Sequence, residues 1–270
     1  MRGLISATPA GGSPAGGLGT PSGPAAAPAW RRVLAQGAFE ARTVLRNGEQ
    51  LLVTLLLPVA ALIGLSSAPF VQVATDGAAR VDVLTPGVLA FAVMSASFTS
   101  QAIATAFDRR NGVLRLLATT PLGRGGLLAG KVLGLLLVQA LQVLVIGGTG
   151  LALGWHPHAA GLPAALLGVL LGTAAFAALA MLVAGTLRAE AVLALANLLL
   201  IALALSGVLL PTSELPGGFA HVAPLLPSGA LGDLLRAALL HGTLPVGPVL
   251  VLAAWTAALS AAAARLFRWS

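Results

Sequence analysis

The 270-residue chain is 57% hydrophobic and only 9% charged, against roughly 25% charged residues in an ordinary soluble domain, which excludes a soluble helical bundle. Its net charge of +7 would suggest nucleic acid in a soluble protein, but the cations crowd one side of long apolar stretches, and a positive-inside bias accounts for them without that partner. The chain has no cysteine, so disulfides, thiolate metal sites and a Cys nucleophile are excluded.

Residues 1–28 are mostly Gly, Ala, Pro and Ser and lack the apolar core of a signal peptide, so they read as a disordered cytoplasmic tail ahead of one transmembrane domain, 29–270. From Ala29 the pattern turns amphipathic. Trp30, Val33, Leu34, Ala38, Ala41, Val44 and Leu45 share one helical arc, while Arg31, Arg32, Arg42 and Arg46 share the other, with Phe39 out of place among them. A helix lying on the membrane surface fits this pattern, as does a short helix packed on a partner.

Six stretches then approach or exceed the ~20 residues that a helix needs to cross the hydrocarbon core. They are Leu51 to Pro69, Val83 to Phe107, Val132 to Trp155, Pro163 to Leu187, Ala191 to Leu210 and Val246 to Leu266. With no water to satisfy their amides they must be helical, which predicts an all-α integral membrane protein. Of the 15 Lys and Arg, only Arg80 and Arg236 fall on the side away from the termini, so both termini are expected in the cytoplasm. Fourteen of those cations are Arg, in an Ala-, Gly- and Leu-rich background that suggests a GC-rich bacterial genome and hence a bacterial cytoplasmic membrane.

The longest cytoplasmic connection runs from Asp108 to Lys131, and Arg109 to Thr120 has a helical mix stopped by Pro121. A short helix there would protrude and offer Leu114, Leu117 and Arg115 as contacts. The outer connection from Pro211 to Pro245 is long and repeatedly apolar, from Phe219 to Leu240, so it reads as re-entrant or interfacial pieces. Glycines four apart (Gly126/Gly130/Gly134, Gly150/Gly154, Gly168/Gly172) permit close helix approach.

Three apparent chemical motifs fail on inspection. Gly125 to Lys131 matches the first seven positions of a phosphate-binding P-loop, but Val132 stands where Ser or Thr would hold magnesium, and no strand precedes it. It reads as the start of a membrane helix with Lys131 at the interface. Ser206-Gly207 lacks the His in a later span that an intramembrane serine nucleophile needs, since His156, His158, His221 and His241 all lie in outer connections. His156 and His158 alone are too few for a metal. No span contains an internal Asp, Glu, Lys or Arg, Arg265 standing one residue from the end of the sixth, which argues against a proton relay or an ion-coupled carrier. Neutral polar groups remain inside: Ser97 and Gln101 in span two, Gln139 and Gln142 on one face of span three, and Asn197 in span five. They either line a substrate path or bond helix to helix.

Three features together resemble the membrane subunit of ABC-2-type exporters, in particular small bacterial permeases of the daunorubicin-resistance kind. Trp30 to Arg46 is similar to the family's N-terminal elbow helix. Asp108 to Leu122, with Arg109, Arg110, Gly112, Leu114, Arg115, Leu117 and Thr120-Pro121, is similar to its first cytoplasmic loop. Ser206-Gly207 with Pro211, Pro216, Pro224 and Pro227 is similar to its signature through span five and an outer hairpin. Asn111 replaces a frequent Glu, and Ser228-Gly229 an aromatic after the last proline. The resemblance covers 29–270 and implies six transmembrane helices with an elbow and a re-entrant hairpin between helices 5 and 6. It also implies a homodimer served by two copies of a separate ATPase docked at the 109–121 loop. ATP and magnesium would act in that partner, with no cofactor on this chain. The implied work is outward movement of a small lipophilic or amphipathic, drug-like compound. An ABC-2 permease for a lipid-linked glycan and a six-helix membrane enzyme outside the family are the alternatives.

Overall fold

The computed structural model describes residues 27–67, 77–118 and 122–267, and every element among them is helical. The glycine- and proline-rich tail lies outside the described residues, apart from its last two positions. Helix α1 is Ala29–Arg46. Helix α2 comprises Gly48–Leu51, a wide π turn at Leu52–Leu56, and Leu57–Ser67. Helix α3 comprises Arg80–Ser95, a second π turn at Ala96–Ser100, and Gln101–Arg110. There follow α4, Val113–Ala118; α5, Gly123–Ala152; α6, Leu162–Thr186; and α7, Ala189–Leu203, which runs into a distorted turn at Ala204–Val208. The connection 211–245 holds α8, Phe219–Val222, and α9, Pro227–His241; α10 is Val246–Leu266.

Among the described residues five helices are long and apolar enough to cross a membrane, rather than the six expected. They are the α3, α5, α6, α7 and α10 segments. Of the first expected span, Leu51 to Pro69, the described residues hold a shorter apolar helix, Thr54–Ser67, and the following residues, 68–76, lie outside the described part.

Helix α3 is the axis of the bundle. Of its most apolar stretch 83% is buried, against 17% for α10, so α3 is surrounded by protein and α10 mostly borders the surroundings. The core around Phe98, Phe176, Leu84 and Met94 joins α3 to α6. Helix α9 is integral to this core: eleven of its fifteen residues, from Pro227 to Leu239, are buried, and it packs against α3, α6 and α10. The connection 211–245 is therefore no loose loop. Trp255, midway along α10, donates its indole N–H to Leu225 O at 2.8 Å, so the segment before α9 reaches down the side of α10.

The glycine stripes are filled within this chain. A Cβ at Gly134 would fall 2.5 Å from Glu40 Cβ, so α1 lies directly on α5. Gly172 faces Leu231 and Gly168 faces Leu234, so the α6 stripe receives the leucines of α9. Helix α1 accordingly divides its apolar arc. Gly37 and Ala41 are buried against α5, whereas Trp30, Leu34 and Leu45 stay exposed, and so does Phe39 on the basic side.

Candidate functional site at the C-terminal end of helix α3

Three consecutive residues at the end of α3 each grip a different part of the molecule. Asp108 accepts a bond from Lys131 Nζ of α5 at 2.9 Å, and Lys131 also pairs with Glu40 of α1 at 3.1 Å. The glutamate is held in turn by Gln36 Nε2 at 2.9 Å. Arg109 donates to Leu187 O at the end of α6, and Arg110 pairs with Glu190 in the first turn of α7. Lys131 is only 5% exposed, so the lysine expected at the membrane interface instead closes a three-element ion network. Such a network is favourable here because each charge has opposite charges and hydrogen bonds around it. Nothing in the spacing of Glu40, Asp108 and Lys131 along the chain announced it.

Gly112 turns the chain from α3 into α4 with φ +74°, a conformation that costs little only for glycine. Leu114 is 2% exposed and faces inward, so it anchors α4 to its own bundle rather than to a partner. Leu116, which the sequence reading did not name among the contacts, is the exposed one, at 69%. The side chains of Arg115 and Leu117, and Pro121 altogether, lie outside the described residues.

The neutral polar residues separate into distinct environments. Gln139 Nε2 donates to Ser97 Oγ at 2.7 Å, and Thr173 Oγ1 donates to Gln139 Oε1 at 2.8 Å, stitching α3, α5 and α6 together. Gln142 Nε2 donates to Thr54 O at 3.0 Å, a carbonyl in the π turn of α2, where the wider turn frees an acceptor. Both glutamines thus bond helix to helix. Gln101 differs: it is half-buried and lines two clefts, one beside Glu40 and Thr54, the other beside Lys131 and Thr173. Asn197 sits apart, exposed midway along α7, with its amide donating only to Leu193 O of its own helix at 2.9 Å.

At its C-terminal end α7 breaks at Ser206 and Gly207, the latter with φ +99°. Arg236 of α9, buried, donates to the freed carbonyls of Val208 at 2.9 Å, Gly207 at 2.6 Å and Leu210 at 3.0 Å, and pairs with Asp233 at 2.9 Å. Asp233 also accepts from Thr212 Oγ1 at 2.5 Å, and Ser206 Oγ lies 2.7 Å from Ser228 Oγ. Pro211 ends the break, Pro227 opens α9, Pro224 is half-buried and Pro216 exposed. The sequence reading named the prolines, counted Arg236 only as a cation on the side away from the termini, and missed Asp233. A charged pair inside an otherwise apolar helix was the available signal.

Among the described residues no cluster of His, Asp and Glu is arranged for a metal. The family model described as ABC-2 family transporter protein matches residues 74–266. No curated protein matches the chain. With most of its length matched, several helices fit to cross a bilayer and an ion network at one end of the bundle, this chain belongs to the ABC-2 transporter family, as a multi-pass membrane component that pairs with an ABC ATPase.

Proposed function

We propose that this chain is one half of a homodimeric exporter that moves a lipophilic or amphipathic compound outward across the bacterial cytoplasmic membrane, with both termini inside. Two copies of the ATPase dock beneath residues 109–121, and the energy of ATP hydrolysis, with its magnesium, stays in those subunits. The observation that carries this reading is the grip of Asp108, Arg109 and Arg110 on α5, α6 and α7, with α1 joined through Lys131. A displacement of the loop is delivered to four helices at once, because packed elements joined by short ion pairs move as bodies.

The cargo class follows from the interior. Its unclaimed polarity is neutral, centred on Gln101, and among the described residues no spare charge lines the two clefts beside Gln101 to compensate a desolvated ion. Helix α7 supports the dimer: an amide exposed midway along an apolar helix is costly against lipid, and the same amide of a second copy is a suitable partner.

The decisive experiment places a charge at the exposed point of α4. Leu116→Asp is expected to insert and fold normally, because the side chain buries little against this chain, yet to lose co-purification with the ATPase and stimulation of its hydrolysis. Interface energy concentrates in a few anchors, so a loss of at least about tenfold in affinity is expected. Full coupling in that variant overturns the docking assignment.

A further inference from the structure

Helix α1 meets α5 through one face. A Cβ at Gly130 would collide with Gln36 and one at Gly134 with Glu40, so the two helices cross at those glycines. They lie about 8 and 14 Å along the membrane-capable segment Gly125–Ala152. The 28 residues of that segment extend about 42 Å, the thickness of a bilayer with its headgroups. The crossing therefore sits where hydrocarbon gives way to headgroups, which is the depth of an interfacial helix.

Around the rest of α1 the chemistry changes in order. Leu34 and Leu45 come first, 49% and 41% exposed, with Trp30 beside them at 59%. Arg31, Arg42 and Arg46 follow, all exposed and within about 60° of one another, roughly half a turn from the Gly37 and Glu40 that face α5. Among the described residues Arg42 and Arg46 make no ion pair or hydrogen bond, and Arg31 has the Trp30 ring, 5.1 Å from its guanidinium carbon. Glu40, the one acid of the helix, is turned the other way and tied to Lys131. With α5 on one side and the exposed leucines below, the arginine stripe points sideways, away from the bundle. Phe39, 63% exposed, stands on the same side. Its ring is costly against water and suits the layer between headgroup and acyl chain, where interfacial helices place Trp, Phe and Leu.

We propose that this stripe is a binding surface for anionic phospholipids. Arg42 and Arg46, one turn apart, hold one headgroup phosphate between them, and Arg31, about 16 Å along the helix from Arg42, holds a second. Guanidinium forks fit phosphate oxygens two at a time. A zwitterionic headgroup brings its own cation to the same place and gains less. Glu40 ties the other side of α1 to Lys131, so a held headgroup also steadies the ion network at the end of α3. The proposal stands on the charge and depth of α1 and not on ATPase docking, so the Leu116→Asp experiment can fail without touching it.

The natural absence of cysteine permits a single probe. Ala35 is exposed on the stripe between Arg31 and Arg42, so a bimane on Ala35→Cys, in the full chain reconstituted into phosphatidylcholine vesicles, reports what lies against it. Phosphatidylglycerol brominated near its ester groups should quench the probe along a saturating curve. Its relative association constant should be about fivefold that of equally brominated phosphatidylcholine, the effect of one cation near an anionic lipid. Replacing Arg31, Arg42 and Arg46 together by Gln should erase that preference, whereas Arg265→Gln on exposed α10 should leave it unchanged. Equal quenching by both lipids in the wild type, or a preference that survives the triple variant, overturns the surface. So does quenching by neither lipid, the result for a face turned to water or covered by a protein. Should the triple variant fail to reconstitute, raised salt replaces it: the wild-type preference should shrink as the charges are screened, and a preference indifferent to salt overturns the proposal.

Discussion

Lys131 and Gln139 show how single side chains hold this bundle together. Lys131 carries a buried charge whose two carboxylate partners keep 22% and 31% of their surface. Replacing it with Met would leave Glu40 and Asp108 facing each other without a cation. The expected loss is about 2 kcal/mol, below the 3–5 of a fully buried broken pair because water still reaches both acids. Thermal unfolding in detergent should therefore shift down in Lys131→Met, and an unchanged melting point would show that the network adds nothing. Gln139→Leu removes the link between Ser97 and Thr173, worth on the order of 0.6–1.7 kcal/mol between membrane helices. That variant should lose folded yield and keep its substrate selectivity. A changed selectivity at unchanged yield would restore Gln139 to the transport path.

At the scale of elements, the broken end of α7 depends on α9. The carbonyls that the break at Ser206 and Gly207 releases are taken up by the Arg236 guanidinium, whose fork of donors suits several acceptors at once. Gly229 and Gly232 let α9 approach that closely. Arg236→Gln keeps a polar group but cannot reach all three acceptors. Each lost bond to a charged donor is worth about 1.5–3 kcal/mol, so this end should loosen well before the end that holds Lys131. Hydrogen exchange should rise in 204–214 and 227–241 and stay level in α1 and the first turns of α5. Uniform exchange across the chain would show that α9 is held by packing alone. This arrangement was only half legible beforehand. The apolar recurrence from Phe219 to Leu240 marked the segment as membrane-associated, but its burial in the core arises because Gly168 and Gly172 of α6 accept Leu234 and Leu231. That pairing joins residues far apart in the chain, and no local pattern encodes it.

For the whole molecule, the exposed surface of α7 is where a second copy is expected. Leu193, Leu198, Ile201 and Leu205 surround Asn197 there, all at least 43% exposed. Asn197→Cys in this cysteine-free chain should form a disulfide-linked dimer on mild oxidation in the bilayer, read as a doubled mass on a non-reducing gel. Leu144→Cys on the outward side of α5, 72% exposed, should not. Crosslinking at Leu144 in place of Asn197 would move the interface to α5.

The quoted motifs carried the family resemblance that the 74–266 match supports, while composition and periodicity settled the all-helical, membrane-embedded class and the amphipathic first helix. These follow from local physics: apolar length, the need to bond every amide internally and the sidedness of Arg. Only the tertiary structure decided that Leu114 turns inward, that Lys131 binds both Glu40 and Asp108, and that Gln139 bonds helices together. Each of these depends on which face of one helix meets which face of another. In a chain this rich in Ala, Gly and Leu many faces are equally apolar, so periodicity cannot rank them. The choice falls to the few glycines and charges whose partners are brought together only by folding.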